Sequence, residues 1–320
     1  MKKRKLLLTH PLHSSLLKKI RSTFSEWEII HALKQDDWQE HLIDSEIILG
    51  WRSSFDLKTI MENDQLKWIQ TWSAGVNSLP LEQLRKKNIV ITSANGVHGY
   101  PISETIFALL LGLTRNIHTY VRNQLKRKWD GTDIKLEAHK KTIGIIGLGA
   151  IGLETAKIAK AFDMHVIGVR NSRKRTDYVD ELYTSEELNE ILPLCDYVVV
   201  TLPLTDDTYQ LFQKEQFQHM KNSAFFINIG RGEIVKEDDL VTALKNGEIS
   251  GAGLDVFENE PLQQTSPLWD LENVIITPHT SGSTEHYNSR VIEDIFLLNA
   301  NHYLKEEDLA INVVDYQKGY

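Results

Sequence analysis

Short apolar runs alternate with stretches of helical periodicity along most of the chain, a pattern typical of α/β proteins with parallel sheets. The runs at 6–9, 46–49, 67–71 and 89–92 predict the strands of a first unit. From Pro101, apolar residues recur at helical spacing as far as Ile117 and predict a long helix that connects two domains.

A second unit begins at the run 142–146, which leads into a glycine-rich turn and a helix predicted over 153–162. Further strands are predicted at 165–169, 197–201, 224–229, 251–256 and 273–277, and an amphipathic helix at 284–304. Because the glycine-rich turn lies in the middle of the chain, we predict that a dinucleotide-binding domain (101–283) is inserted into a substrate domain (1–100 and 284–320).

Composition narrows the function classes. The 320 residues suit two domains, and a net charge of −8 argues against a general nucleic-acid binder. The single cysteine, Cys195, fits a reducing compartment. The basic start is followed by only three leucines, too few for a signal peptide, and no run approaches the ~18 apolar residues of a membrane helix. We therefore expect a cytoplasmic protein with neither nucleic-acid nor membrane partners.

The turn Gly147-Leu148-Gly149-Ala150-Ile151-Gly152 matches a dinucleotide-binding fingerprint. The pattern alone is weak, but a predicted strand precedes it and a predicted helix follows, as the fingerprint requires. Gly147 would permit the tight turn, Gly149 the approach of a pyrophosphate, and Gly152 close packing of the helix. The alternative is a packing turn that binds nothing.

The next predicted strand ends at Val169 and is followed by Arg170-Asn171-Ser172-Arg173. NAD sites usually place an acidic residue here, to accept from the ribose 2′-hydroxyl, whereas an Arg would bind a 2′-phosphate. We therefore predict NADPH as the cofactor, with NADH less favoured. An ordinary solvated basic loop is the alternative.

Arg231, Glu260 and His279 each lie just beyond an apolar run that predicts a buried strand. Ligands of open parallel sheets bind outside the carboxyl ends of the strands. An Arg, a Glu and a His delivered there would supply an anion clamp, an acid/base and its orienting partner. Taken singly, each has a plainer interpretation: a surface salt bridge for Arg231, a solvated acid for Glu260 and a structural imidazole for His279. No metal site is predicted.

Together these motifs resemble the D-isomer-specific 2-hydroxyacid dehydrogenases, which include phosphoglycerate, glyoxylate/hydroxypyruvate and D-lactate dehydrogenases. The resemblance runs from about Trp72 to Ser283 and keeps the family's order of motifs. The motifs are Ser73-Ala74-Gly75-Val76, Ser103-Glu104, Gly147–Gly152, Asn228-Ile229-Gly230-Arg231-Gly232, Asp255–Pro261 and Thr277-Pro278-His279. It implies a Rossmann domain inserted into a flavodoxin-like substrate domain, both doubly wound, and a homodimer.

By this resemblance, His279 would be the proton donor and acceptor, Glu260 its partner, and Arg231 the ligand of the substrate carboxylate and carbonyl. The backbone of Ala74, Gly75 and Val76 would hold the carboxylate. Asp255 would hold the nicotinamide carboxamide. The other cofactor contacts would come from Gly147, Gly149, Ala150, Ile151, Gly152, Arg170, Ser172, Arg173, Thr201, Leu202, Pro203, Ile229 and Ser281.

The implied activity is interconversion of a small 2-keto acid and its D-2-hydroxy acid. Formate is not expected as the substrate, because formate dehydrogenases of this fold carry Gln where Glu260 stands. The main alternative is a nucleotide-sensing protein related to transcriptional corepressors, since such relatives also keep the three residues. An L-specific lactate or malate dehydrogenase would carry its glycine fingerprint near the N-terminus, not at residue 147.

Overall fold

The computed structural model describes residues 3–76, 79–131, 136–172 and 176–316. It divides into two compact units. One is His98–Ser283, and the other combines the described residues of Met1–Val97 and Thr284–Tyr320. The chain thus leaves the first unit, forms the whole of the second, and returns, and the inserted unit begins at His98 rather than at Pro101.

Each unit is built on one parallel sheet. In chain order the strands of the described residues are β1 (Lys5–Leu8), β2 (Glu28–His31), β3 (Ile47–Leu49), β4 (Trp68–Gln70), β5 (Val90–Thr92), β6 (Thr142–Ile146), β7 (His165–Val169), β8 (Glu181–Tyr183), β9 (Tyr197–Val200), β10 (Phe225–Asn228), β11 (Gly251–Leu254) and β12 (Val274–Ile276). The first sheet has the order β2-β1-β3-β4-β5, and the second has the order β12-β11-β10-β9-β6-β7-β8.

Helices connect the parallel strands. In chain order they are α1 (Ser14–Thr23), α2 (Gln35–Gln39), α3 (Leu57–Glu62), α4 (Leu81–Lys86), α5 (Gly99–Thr114), α6 (Ile117–Leu125), α7 (Ala150–Ala161), α8 (Leu188–Ile191), α9 (Lys214–His219), α10 (Glu237–Asn246), α11 (Tyr287–Ser289) and α12 (Leu297–Leu304). Short 3₁₀ turns occur at Ser185–Glu187, Leu192–Leu194, Gly232–Ile234 and Pro267–Asp270. Among the described residues, no helix is both long enough and apolar enough to cross a membrane.

The inner strands consist mostly of apolar residues because both faces of each sheet are covered. On β9, Val198 and Val200 pack into the cluster on one face, and Tyr197 and Val199 into the cluster on the other. The predicted α/β fold with two parallel sheets is therefore confirmed.

Differences from the predicted elements lie at the sheet edges and at helix starts. No strand was predicted at β2 or β8, the edge strands on one side of each sheet, where the residues are half-buried or exposed. Helix α7 begins at Ala150, directly on the glycine turn, and not at Leu153. The helix predicted at 284–304 runs from Tyr287 to Leu304 and is π-helical over Arg290–Phe296.

Candidate active site

The predicted site residues of the inserted unit lie near the carboxyl ends of the strands of the second sheet. Because its strands are parallel, the residues that follow them share one edge. Gly147 follows β6, Arg170 follows β7 and Thr201 follows β9. Arg231 lies three residues beyond the end of β10, and His279 three residues beyond the end of β12. The order reverses between β6 and β9, which is where open α/β sheets bind ligands.

The glycine turn has the geometry that a dinucleotide needs. Gly147 has φ +111°, and a Cβ there would lie 2.9 Å from Thr201 Oγ1. A Cβ on Gly152 would lie 2.0 Å from the Gly147 carbonyl oxygen, so helix and turn touch. A Cβ on Gly149 would have nothing within 4 Å in the described residues. The space beside Gly149 and the start of α7 therefore fits a pyrophosphate, since helix N-termini favour anions.

The loop after β9 is joined to this turn. Thr201 Oγ1 donates to the Gly147 carbonyl at 2.6 Å. Leu202 packs against both Gly147 and Gly230, and Pro203 is exposed. Ile229 is buried among core side chains, so only its backbone can face a ligand.

The loop after β7 begins at Arg170, as predicted, because the strand ends at Val169. Arg170 is half-buried and its Nη1 donates to Thr176 Oγ1 at 3.1 Å. Ser172 is exposed, and Arg173 lies outside the described residues. The three residues after β7, where an NAD enzyme would place an acid to accept from the ribose 2′-hydroxyl, are Arg170, Asn171 and Ser172.

Asn228 fixes the backbone that presents Arg231. Its Oδ1 accepts from Gly230 N at 3.0 Å and its Nδ2 donates to the Arg231 carbonyl at 3.0 Å. Asn228 is only 1% exposed, so these bonds satisfy a buried amide. The Arg231 side chain is exposed, with Nη1 donating to the Gly230 carbonyl at 2.6 Å. An anion of the substrate can therefore reach the guanidinium.

Glu260 and His279 form a hydrogen-bonded pair. His279 Nδ1 and Glu260 Oε2 are 2.7 Å apart, and the second carboxylate oxygen, Oε1, accepts from Phe257 N at 3.0 Å. The His279 side chain is 47% exposed and that of Glu260 34% exposed, so the pair is open to a ligand. With Nδ1 held by the carboxylate, Nε2 is the ring nitrogen left to exchange a proton with a substrate.

Asp255 organises the loop that carries His279. It is fully buried, and its carboxylate accepts from Thr277 Oγ1 at 2.6 Å, Thr280 N at 3.0 Å and Ser281 N at 3.1 Å. His279 N donates to the Asp255 carbonyl, and His279 has φ +52°, a conformation uncommon outside glycine. Asp255, assigned by the resemblance to the nicotinamide, is thus bonded to the histidine loop as well.

In the first unit, the loop 73–76 follows β4. Ser73 Oγ donates to the Gly75 carbonyl at 2.7 Å, and a Cβ on Gly75 would have nothing within 4 Å in the described residues. The Val76 side chain is buried in the core, and the binding of a carboxylate by the backbone of this loop stays a prediction.

Asn228 and Asp255 show what sequence reasoning missed at this site. Asn228 is part of a recognised motif, but the sequence alone predicts no role for it. Its signal was a lone amide at the end of the buried run Phe225-Phe226-Ile227, where a polar side chain needs partners. The hydrogen bonds of Asp255 to the histidine loop leave no pattern in the sequence.

A family model for the NAD-binding domain of D-isomer-specific 2-hydroxyacid dehydrogenases matches residues 107–281, more than half of the chain. A glyoxylate/hydroxypyruvate reductase B from Escherichia coli is 33% identical over 293 residues, which cover 87% of this chain and 88% of the relative.

Solved structures agree. A D-isomer-specific 2-hydroxyacid dehydrogenase family protein from Aeromonas salmonicida has a TM-score of 0.83 and 31% identity, covering 98% of this chain and 100% of its own. An NADPH-dependent glyoxylate/hydroxypyruvate reductase from Sinorhizobium meliloti, in complex with NADP and sulfate, has a TM-score of 0.77 and 26% identity, covering 99% and 100%.

Fold and site together define an oxidoreductase that uses a nicotinamide cofactor. The chain belongs to the D-isomer-specific 2-hydroxyacid dehydrogenases. The resemblance noted in the sequence is thereby confirmed, as is the expectation of an NAD(P)-dependent dehydrogenase.

Proposed function

We propose that this protein reduces a small 2-keto acid to the D-2-hydroxy acid, and catalyses the reverse reaction, with NADPH preferred over NADH. The observation that carries the proposal is the bonded Glu260–His279 pair, which lies on the same sheet edge as Arg231. The names of the E. coli and S. meliloti relatives support glyoxylate or hydroxypyruvate as the substrate.

His279 is the proposed acid/base. The nicotinamide, when bound, supplies hydride to the keto carbon. Charge then builds on the carbonyl oxygen, and a proton held at His279 Nε2 neutralises it. Glu260 fixes the orientation and the tautomer of the ring through Nδ1. In the oxidation direction the same nitrogen takes the hydroxyl proton.

Arg231 and the loop 73–76 are the proposed carboxylate ligands. The exposed guanidinium can grip a carboxylate with two parallel hydrogen bonds and polarise the reacting carbonyl. The backbone of Ala74, Gly75 and Val76 is assigned to the substrate carboxylate on the resemblance alone.

We assign the cofactor to the glycine turn, to Asp255 and to the residues after β9 and β10. The preference for NADPH rests on Arg170, Ser172 and Arg173, which stand where an NAD enzyme carries an acid. A phosphate–Arg pair contributes about 1.5–3 kcal/mol, or roughly ten- to a hundredfold in affinity.

Cofactor titration and product analysis test these assignments. We expect NADPH oxidation with glyoxylate or hydroxypyruvate, little with simple aldehydes, tighter binding of NADPH than of NADH, and a D-product by chiral chromatography.

Arg170→Ala should remove most of the NADPH preference, whereas Lys245→Ala, which removes an exposed cation on α10, should leave it intact. Equal or better NADH binding by the wild type would refute the cofactor assignment, and an L-product the stereochemical one.

Arg231→Lys tests the anion clamp. Lys keeps the charge but loses the fork, so KM should rise and kcat should fall for 2-keto acids. The slow background rate with aldehydes should not change. Unaltered kinetics on glyoxylate and hydroxypyruvate would remove Arg231 from the site.

We also propose a homodimer and a cytoplasmic location. The dimer rests on the family resemblance and on an apolar surface of the inserted unit. Along α6, Ile117, Val121 and Leu125 recur every four residues and are 51%, 51% and 81% exposed, and Trp129 follows fully exposed. A second copy of the chain is the proposed partner of this surface. The location rests on the single, buried cysteine.

A further inference from the structure

The turn 257–260 places Glu260 beside His279. The carboxylates of Glu260 and Glu237 accept hydrogen bonds from the backbone of this turn. Phe257 N donates to Glu260 Oε1 at 3.0 Å, which closes the turn on its own side chain. The next amide, Glu258 N, donates to Glu237 Oε2 at 3.2 Å. Glu237 is the first residue of α10, so this bond ties the turn to a helix that follows Arg231 in the chain.

Backbone packing holds the same turn from another direction. A Cβ on Gly232 would lie 1.9 Å from the carbonyl carbon and oxygen of Phe257, so the two backbones are in contact. Asn228, Gly232, Glu237 and Phe257 line one cavity of about 10 Å³. The residues that hold Arg231 and those that hold Glu260 are therefore neighbours.

We propose that Glu237 is a positioning residue for the acid/base pair, holding the turn 257–260 so that Glu260 reaches His279. The inference rests on the proposed function, since it assumes that this pair moves the proton. Glu237 touches neither partner of the pair directly in the described contacts, and it acts through the backbone of Glu258.

The environment of Glu237 fits a fixed acceptor. Burial raises the pKa of Glu237, the hydrogen bond from Glu258 N lowers it, and the charges of Glu258 and Asp238 raise it, with a net increase. A half-buried carboxylate beside two other acids needs a hydrogen-bond donor. Among these contributions, the amide of Glu258 is the one group that favours the charged form of Glu237.

The experiment compares variants of the full-length protein. Glu237→Ala removes the acceptor, and Glu237→Gln keeps an acceptor oxygen without the charge. Asp238→Ala is the matched control, because Asp238 is the next residue, is exposed, and also places a carboxylate in the first turn of α10. Glu260→Gln and the double variant Glu237→Ala/Glu260→Gln complete the set.

We expect Glu237→Ala to lower kcat for glyoxylate or hydroxypyruvate by roughly ten- to a hundredfold, the scale of a misplaced catalytic group, with NADPH affinity unchanged. Glu237→Gln should recover most of the rate, and Asp238→Ala should match the wild type. In the Glu260→Gln background, Glu237→Ala should add little, because both act through one pair.

A full additive loss in the double variant, or no rescue by Glu237→Gln, would overturn the proposal. A second measurement is independent of turnover: the NMR signals of the His279 ring at one fixed pH, assigned with His279→Gln. In Glu237→Ala these signals should move toward their positions in Glu260→Gln. If the wild type reduces no 2-keto acid, the proposed function fails, and coincident ring signals of wild type and Glu237→Ala would still reject the role of Glu237.

Discussion

His279 is held in an uncommon backbone conformation by a buried acid and is bonded through one ring nitrogen to Glu260. Such local strain persists only where the surroundings fix it, and it is concentrated at functional sites. The ring therefore stays in one orientation before a substrate arrives.

Replacing either member of this pair separates chemistry from binding. His279→Ala should lower kcat by roughly 10²–10⁴, as expected for a lost general acid, with NADPH affinity unchanged. Glu260→Gln should lower kcat for keto-acid reduction by roughly ten- to a hundredfold, because the ring loses the carboxylate that orients it through Nδ1. Steady-state kinetics measure both effects.

His219→Ala, which removes an exposed imidazole on α9, is the control for the histidine change. Wild-type rates in His279→Ala or in Glu260→Gln would take the pair out of the mechanism.

His10 in the first unit gives a prediction about stability. Its ring stacks on Trp72 with the centroids 4.4 Å apart, and its Nδ1 is buried without a hydrogen-bond partner among the described residues. Burial, and then the charge of Arg52, lower the pKa of His10 to about 4 from its ordinary 6.5. Between these values the unfolded chain binds the proton and the folded chain does not, so this group makes stability fall as the pH drops from 6.5 to 4.

His10→Phe keeps a stacked ring and removes the proton site. Thermal or urea unfolding across this pH range should show a smaller loss of stability in His10→Phe than in the wild type. The control is His286→Phe, which changes an exposed histidine. Parallel curves for His10→Phe and the wild type would contradict the shifted pKa.

At the residue scale, the sequence indicates the exposed polar side chains at the sheet edge more readily than the residues that hold them. Arg231, Glu260 and His279 stand out because each follows an apolar run, on the side of the sheet where ligands of open parallel sheets bind. Glu237 does not, because an acid in the first turn of a helix is common and favourable in itself. Glu258 lies 21 positions further along the chain, so the contact of Glu237 with Glu258 exists only after the intervening chain has folded.

At the scale of elements, two glycines at the junction of β6 and α7 are predicted to respond differently to the same substitution, Gly149 in the turn and Gly152 in the first turn of the helix. Gly149→Ala places its methyl group in open space, so thermal stability should be kept while NADPH affinity falls by tenfold or more, about 1.4 kcal/mol. Gly152→Ala drives its methyl group into the Gly147 carbonyl and should destabilise the fold by about 1–3 kcal/mol.

Calorimetry and cofactor titration on both variants measure this contrast. An unstable Gly149→Ala, or a Gly149→Ala that binds NADPH as the wild type does, would show that the open space is not the pyrophosphate site.

The strands predicted best are those covered on both faces. Strands β6 and β7 match their predicted bounds, because continuous burial gives unbroken apolar runs. The edge strands β2 (Glu-Ile-Ile-His) and β8 (Glu-Leu-Tyr) were missed, since each is short, mixed in polarity and paired on one side only. These segments form strands because they pair with a neighbouring strand, and the residues of the segments themselves do not show that pairing.

At the scale of the whole molecule, the exposed stripe on α6 predicts the oligomeric state. Val121→Asp combined with Leu125→Asp should convert a dimer into a monomer, because charges would be buried at the contact. Light scattering after size exclusion measures the mass. Leu194→Asp, which changes a leucine 48% exposed elsewhere in the inserted unit, should remain dimeric. A monomeric wild type would refute the dimer, and a dimeric double variant would refute this surface.

The inserted unit begins and ends at the same place: His98 Nδ1 lies 3.1 Å from the Gly282 carbonyl oxygen. Once the inserted unit has folded, it connects the two segments of the first unit over a short distance, as a short loop would, and not as a long flexible loop. The entropy cost of closing such a loop grows with its length, so folding of the inserted unit removes most of that cost. The nucleotide-binding unit thus brings Val97 and Thr284 within reach of each other, and the discontinuous first unit gains the local connectivity of a continuous one.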